Sequence, residues 1–152
     1  MSSDWTSELF ETRGGRRPVE DWMDDLSSQK YAALDAAITK VLEKHGLDLM
    51  GTPWLKPLKD GLFEFRVNKT ERQVLNIVNA TLGTSSAVTE SERILLRVFV
   101  HFHGNRIILL LGGYDKSADT NKRRQQKEIE TARKRLREWQ MLERAKKQPR
   151  GR

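Results

Sequence analysis

The sequence predicts an α+β fold, with an N-terminal helical hairpin packed on an antiparallel sheet and a basic C-terminal helix. Three observations carry that prediction. Apolar residues recur at helical spacing in two stretches between Pro18 and Gly46. From Leu62 to Leu111 the pattern changes to alternation and short apolar runs, which is how strands read. A last helical stretch, crowded with Lys and Arg, starts near Asp119. Strands grouped apart from helices favour α+β over a βαβ layout.

Each element has a local reason. Ser7 to Thr12 suits a short first strand, and Arg13-Gly14-Gly15-Arg16-Arg17 a loop. Pro18 fits the first position of a helix, where its missing N–H would be unpaired anyway, and Glu20 and Asp21 favour the positive end of the helix dipole. Val19, Trp22, Met23 and Leu26 form one apolar stripe. Ser27 and Ser28 can cap a second helix, with a stripe of Tyr31, Leu34, Ile38, Val41 and Leu42, and Gly46 ends it. Asp60-Gly61 signals a turn into a half-buried strand, in which Phe63, Phe65 and Val67 alternate with Leu62, Glu64 and Arg66. Gln73 to Val78 can extend a strand, and Thr81 to Glu92 reads as a mobile loop. Ile94 to Phe102 and Arg106 to Leu111 are strands joined through His103-Gly104-Asn105, and Gly112-Gly113 closes the last of them. In the final helix, about Asp119 to Glu143, Ile129, Ala132, Leu136 and Trp139 step by three and four and can dock on the body.

The length of 152 residues fits one domain, residues 1–144, followed by a basic tail, 145–152, expected to be disordered. Without cysteine there is neither a disulfide nor a thiolate metal site. The start, Met1 to Trp5, lacks the basic and apolar regions of a signal peptide, and the apolar run Ile107 to Leu111 is too short to span a bilayer. A soluble, cytoplasmic protein with no membrane partner is expected. The net charge of +7 is unevenly placed. Lys116 to Arg152 holds 14 basic and 5 acidic residues, whereas the first 115 residues hold 14 basic and 16 acidic. A near-neutral body with a cationic C-terminal segment implies a polyanionic partner such as RNA, DNA or an acidic protein.

No metal or cofactor motif stands out. His101 and His103 share one side of a strand, but a pair without a third ligand is a weak zinc signal. No serine sits in a nucleophile elbow, and no phosphate-binding glycine loop is present. Cations in strands are more informative. Arg66 and Arg97 lie in mid-strand, where an unpaired guanidinium is costly to bury. Each needs a carboxylate, with Glu64 and Asp115 as the available mates, or a partner protein, or a phosphate. RNA supplies its own nucleophile, the 2′-OH. A protein can therefore cleave it by aligning that oxygen, stabilising the charged transition state with guanidinium forks, and moving protons through a tuned side chain. Tyr114 and Lys116, just past the last strand, stand near such a site.

Several segments resemble one family. Leu58-Lys59-Asp60-Gly61-Leu62-Phe63-Glu64-Phe65-Arg66-Val67 is similar to the L-x-x-G-L-[WFY]-E-[LF]-R segment of RelE/HigB-like type II toxins of the RelE/ParE superfamily, in their phage-derived branch. Arg97-Val98-Phe99, Gly104 to Leu110 and Gly112-Gly113-Tyr114-Asp115-Lys116 resemble that branch's later strands. Glu128-Ile129-Glu130-x-Ala132-x-x-Arg135 resembles the helix that follows. The resemblance implies two N-terminal helices on a twisted antiparallel sheet. It implies an endoribonuclease (an mRNA interferase) that inhibits translation without a metal or cofactor, ribosome-dependent or free. It also implies a cognate antitoxin, usually of the helix-turn-helix type. Carried over, Arg66 and Arg97 match the family's basic strand residues and Tyr114 and Lys116 its post-strand segment, which makes these four the catalytic candidates; Lys59, Arg93, Lys122, Arg123 and Arg124 are expected as RNA-binding cations. The chain departs from the pattern in its long 68–92 segment, in Gly112 where His or Asn is usual, and in Ser117 where a second lysine is usual. Two other functions are open at this level: a ParE-like gyrase inhibitor, and a non-catalytic accessory protein that holds nucleic acid or an acidic partner.

Overall fold

The computed structural model describes residues 4–70 and 93–147. In chain order these form β1 (Thr6–Leu9), α1 (Pro18–Asp24), α2 (Ser28–Ala37), β2 (Leu55–Lys59), β3 (Leu62–Thr70), β4 (Arg93–His103), β5 (Ile107–Asp115) and α3 (Lys122–Lys147). The Ser27 hydroxyl caps α2 by accepting from the Lys30 N–H at 3.2 Å. The helix then continues through a π-helical turn, Ile38–Leu42, and a last α turn, Glu43–His45. Gly46, at φ 47°, ends it as expected.

The fold class is α+β, with one five-stranded sheet in the order β1-β5-β4-β3-β2. Strands β2 to β5 pair antiparallel, but β1 runs parallel to β5, so the sheet is mixed and not antiparallel throughout. The direction of β1 was not readable from the sequence. No turn joins it to β5, and four residues of alternation look the same either way. The helical hairpin is also looser than expected. Helix α1 rests chiefly on β5, and its direct contact with α2 is slight. Val19 and Met23 of α1 and Leu34 of α2 nevertheless join one core with Phe65, Val67, Leu96 and Val98 of the sheet.

The largest departure lies on the opposite face. Strand β3 is covered on its second face at Leu62 and Glu64, not half-solvated there, because α3 packs over them, while Arg66 stays 28 % exposed. Ala132 and Leu136 seat it on Phe10, Leu62, Phe99, Leu109, Leu111 and Tyr114, with Ile129 and Trp139 at the margin. Leu136 and Phe99 contribute about 2 kcal/mol each at this depth of burial. The docking stripe is the one the sequence offered. The helix runs on to Lys147, past the expected boundary at residue 144, and residues 148–152 of the tail lie outside the described residues. So do the strand and loop expected within 71–92. Among the described residues, no helix is long and apolar enough to cross a membrane.

Strand β2 was not anticipated, because Pro57 argues against a central strand. It is an edge strand, where a missing N–H is tolerated, and its register shifts between Pro57 and Lys59. Gly112 and Gly113 do not close β5 but lie inside it. Each makes room for a helix on its own face. A Cβ on Gly113 would meet the Trp22 ring of α1 at 2.4–2.8 Å, and one on Gly112 would meet Nη1 of Arg135 of α3 at 3.1 Å. That Nη1 donates to the Leu111 carbonyl at 2.8 Å, beside a bulge opposite Phe99. Gly113→Ala should therefore destabilise the protein by about 2 kcal/mol through overpacking, read as a lower urea midpoint with unchanged slope. Trp22→Leu in the same chain should recover part of the loss.

Candidate functional site

On the α3 side of the sheet, Arg66, Arg97 and Tyr114 form one transverse row. Arg66 pairs with Arg97 across β3 and β4, and Arg97 with Tyr114 across β4 and β5. Side chains directly opposite in adjacent strands share a face. Lys116 follows just past β5, and its backbone N–H donates to the Leu95 carbonyl at 2.8 Å. The four catalytic candidates are thus brought together. Tyr114, however, lies within β5 and not beyond it.

The row is not an open cationic face. Its centre is Glu64, fully buried one residue pair along from Arg66. Arg66 Nε donates to Glu64 Oε1 at 2.9 Å, and Gln125 of α3 donates to Oε2 at 3.0 Å. Arg66 therefore takes the carboxylate mate expected for it. Asp115, the other expected mate, binds Lys30 Nζ at 2.6 Å instead. Burial alone would raise the Asp115 carboxyl, but hydrogen bonds from Lys30 and Ser117 outweigh it and hold the group below its ordinary value.

Among the described residues, Arg97 has no carboxylate within ion-pair distance. It is 3 % exposed, and Nη1 donates to Asn68 Oδ1 at 2.7 Å and to the Leu96 carbonyl at 3.1 Å. Its Nε is buried without a hydrogen-bond partner among the described residues. Burial pushes this guanidinium below its ordinary value. Glu64 opposes the shift and Arg66 adds to it. Lys116 is also pushed down, first by burial and then by Arg97, with Arg66 and Lys56 adding and Glu64 opposing. Lys56, exposed on β2, is a cation of this cluster that sequence reasoning missed along with its strand.

Tyr114 is buried, stacked on Phe99 at 6.3 Å, with the Arg124 guanidinium 5.4 Å over its ring. Burial raises its phenol and Glu64 adds to that, while Arg97 and Arg124 pull it back. The phenol stays protonated at neutral pH and braces the row.

The other predicted cations separate. Arg124 turns inward and pairs with Glu128 at 2.7 Å and Asp119 at 3.6 Å. Lys122 and Arg123 stay exposed on the first turn of α3. Lys59 lies at the β2–β3 turn, with φ 88° and its carbonyl accepting from Arg133 at 3.1 Å. That turn is four residues from Arg66, about 13 Å along the strand. Arg93 opens β4, and its side chain lies outside the described residues.

His101 and His103 stack on each other at 6.1 Å under Trp139 of α3, and His101 Nδ1 bonds the Gly61 carbonyl at 2.7 Å. Trp139 of α3 packs against both rings, which stay half-buried toward the end of β4. Among the described residues, no group of three or more His, Cys, Asp or Glu is arranged to hold a metal ion. Comparison with protein-family models, with curated proteins and with solved structures gave no match.

Proposed function

We propose that the chain is a RelE/HigB-type toxin, an endoribonuclease that cleaves mRNA by metal-independent in-line transfer and so inhibits translation. The observation that carries this reading is the cross-strand row Arg66–Arg97–Tyr114 with Lys116 at its rim. Arg66, 28 % exposed, and Lys116 are the cations a scissile phosphate would touch. Arg97 supports them from beneath, where low dielectric strengthens its field on the developing charge. The 2′-hydroxyl gives its proton to water and attacks phosphorus, a 2′,3′-cyclic phosphate forms as the bond to the 5′-oxygen breaks, and the departing oxygen takes a proton. Lys116 is suited to give it, because burial first and then Arg97 make it a stronger acid than a free lysine. Glu64 holds Arg66 in place and, with both oxygens engaged, takes no part in proton transfer. In this reading the protein is cytoplasmic, acts on mRNA with or without the ribosome, and is restrained by a cognate helix-turn-helix antitoxin. The N-terminal helices brace the sheet from behind.

Primer extension on cellular transcripts after induction tests the reading. The wild type should produce new 5′ ends inside coding regions. Lys116→Ala removes a half-buried side chain that bears no ion pair among the described residues, so it should fold normally and give at least tenfold fewer ends. A DNA-damage response with intact transcripts would replace this reading with gyrase inhibition.

A further inference from the structure

The row uses little of the C-terminal charge. Helix α3 buries Ala132 and Leu136, and turns Gln125 and Arg124 toward the row. Its opposite side is a stripe at steps of three and four that carries Arg123, Lys127, Lys134, Arg137 and Arg144, all exposed. None of the five is ion-paired among the described residues; Glu130 is interleaved with them and Glu138 stands at the edge of the stripe beside Arg137. A sixth cation joins from a different part of the chain. Arg13, in the loop after β1, lines a surface depression of about 350 Å³ together with Lys134, Arg137, Met141 and one acid, Glu138. The ridge is about 30 Å long from Arg123 to Arg144 at the rise of an α-helix.

We infer that this ridge is a docking surface for the backbone of double-stranded RNA, separate from the row. Charge complementarity selects a polyanion, and the stripe sets a cation every one or two helical turns, about 5–10 Å apart, along the path a phosphate backbone would take. The absence of aromatics selects the duplex. A single-strand platform needs rings on which bases stack, whereas the ridge carries only Met141 as an apolar residue, and Trp139 is turned inward onto His103. A duplex is bound through backbone contacts and shape, which such a surface can supply. The choice of RNA over DNA rests on the proposed cleavage of mRNA; the surface itself does not.

Equilibrium binding of the full chain to a fluorescent RNA hairpin, at several salt concentrations, tests this without any cleavage being scored. If all six cations engage, log Kd should change with log salt with a slope of magnitude about 5. Lys127→Gln/Lys134→Gln/Arg137→Gln keeps good helix formers and should lower that slope by nearly 3 and weaken binding more than tenfold at low salt. It should leave the melting temperature unchanged. The same RNA without a stem should bind at least tenfold more weakly, and a DNA hairpin of the same sequence several-fold more weakly. Equal affinity for the unpaired strand or for the DNA hairpin overturns the inference, as does a triple variant that binds like wild type. Absence of new transcript ends in cells, with hairpin binding intact, would remove the nuclease reading and leave the ridge standing.

Discussion

Arg66→Ala is expected to lower the unfolding free energy by about 3 kcal/mol, measured by urea titration. The cause is the residue left behind. Glu64 is completely buried, and its two oxygens are held by Arg66 and by Gln125. Without Arg66 the carboxylate keeps one neutral donor and the indirect field of Arg97, which is too little for a charge in low dielectric. The loss belongs at the lower end of the range for broken buried pairs, because Arg66 is 28 % exposed and water screens its side of the pair. Arg66→Ala combined with Glu64→Gln should recover most of the loss, since a neutral amide needs no counter-charge. Glu64→Gln alone should cost about 1 kcal/mol, because Arg66 can turn to solvent. A cycle built from these three variants should give a coupling above 1 kcal/mol. If Arg66→Ala proves nearly neutral, Arg97 is the ion that holds Glu64, and the roles assigned along the row must be exchanged.

What the sequence revealed depended on whether the cause was local. The caps at Pro18 and Ser27, the stop at Gly46 and the turn at Asp60-Gly61 are decided by residues within one turn of themselves, and each sits where expected. The stripe Ile129, Ala132, Leu136 and Trp139 showed that α3 docks, because helical period is a local property. Where it docks was not readable, and so neither was the burial of Arg97 and Glu64 beneath it. The same gap explains Gly112 and Gly113. Their signal was read as the close of the last strand, while their cause is the approach of Trp22 and Arg135 from distant helices. Arg66 and Arg97 were each visible as cations in apolar strands, but their pairing depends on a register that the long 71–92 connection does not set. Glu64 was visible as a mate for arginine. Its place at the centre of the row came only from the alternation that puts 64 and 66 on one face together with the strand order that brings 97 beside them.

Arg97→Met is expected to reduce transcript cleavage at least a hundredfold while the melting temperature stays level or rises. These two effects have one origin. Burial opposes the charge on Arg97, and among the described residues its Nε has no partner and its two acceptors, Asn68 and the Leu96 carbonyl, are neutral. A side chain of similar length without charge removes that opposition, and replacements of buried ions by packed apolar groups are often neutral or stabilising. Asn68 is only half-buried and can return to water, so its lost bond adds little cost. A guanidinium kept at the cost of stability has a use other than folding, and loss of one fixed donor to transition-state charge typically lowers rate by two to three powers of ten. A melting temperature more than about 8 °C below wild type would correspond to a loss above 2 kcal/mol and would make Arg97 a structural residue. Undiminished cleavage by a well-folded Arg97→Met protein would separate the row from the chemistry altogether. The cationic ridge on α3 would then be the surface through which this chain meets RNA.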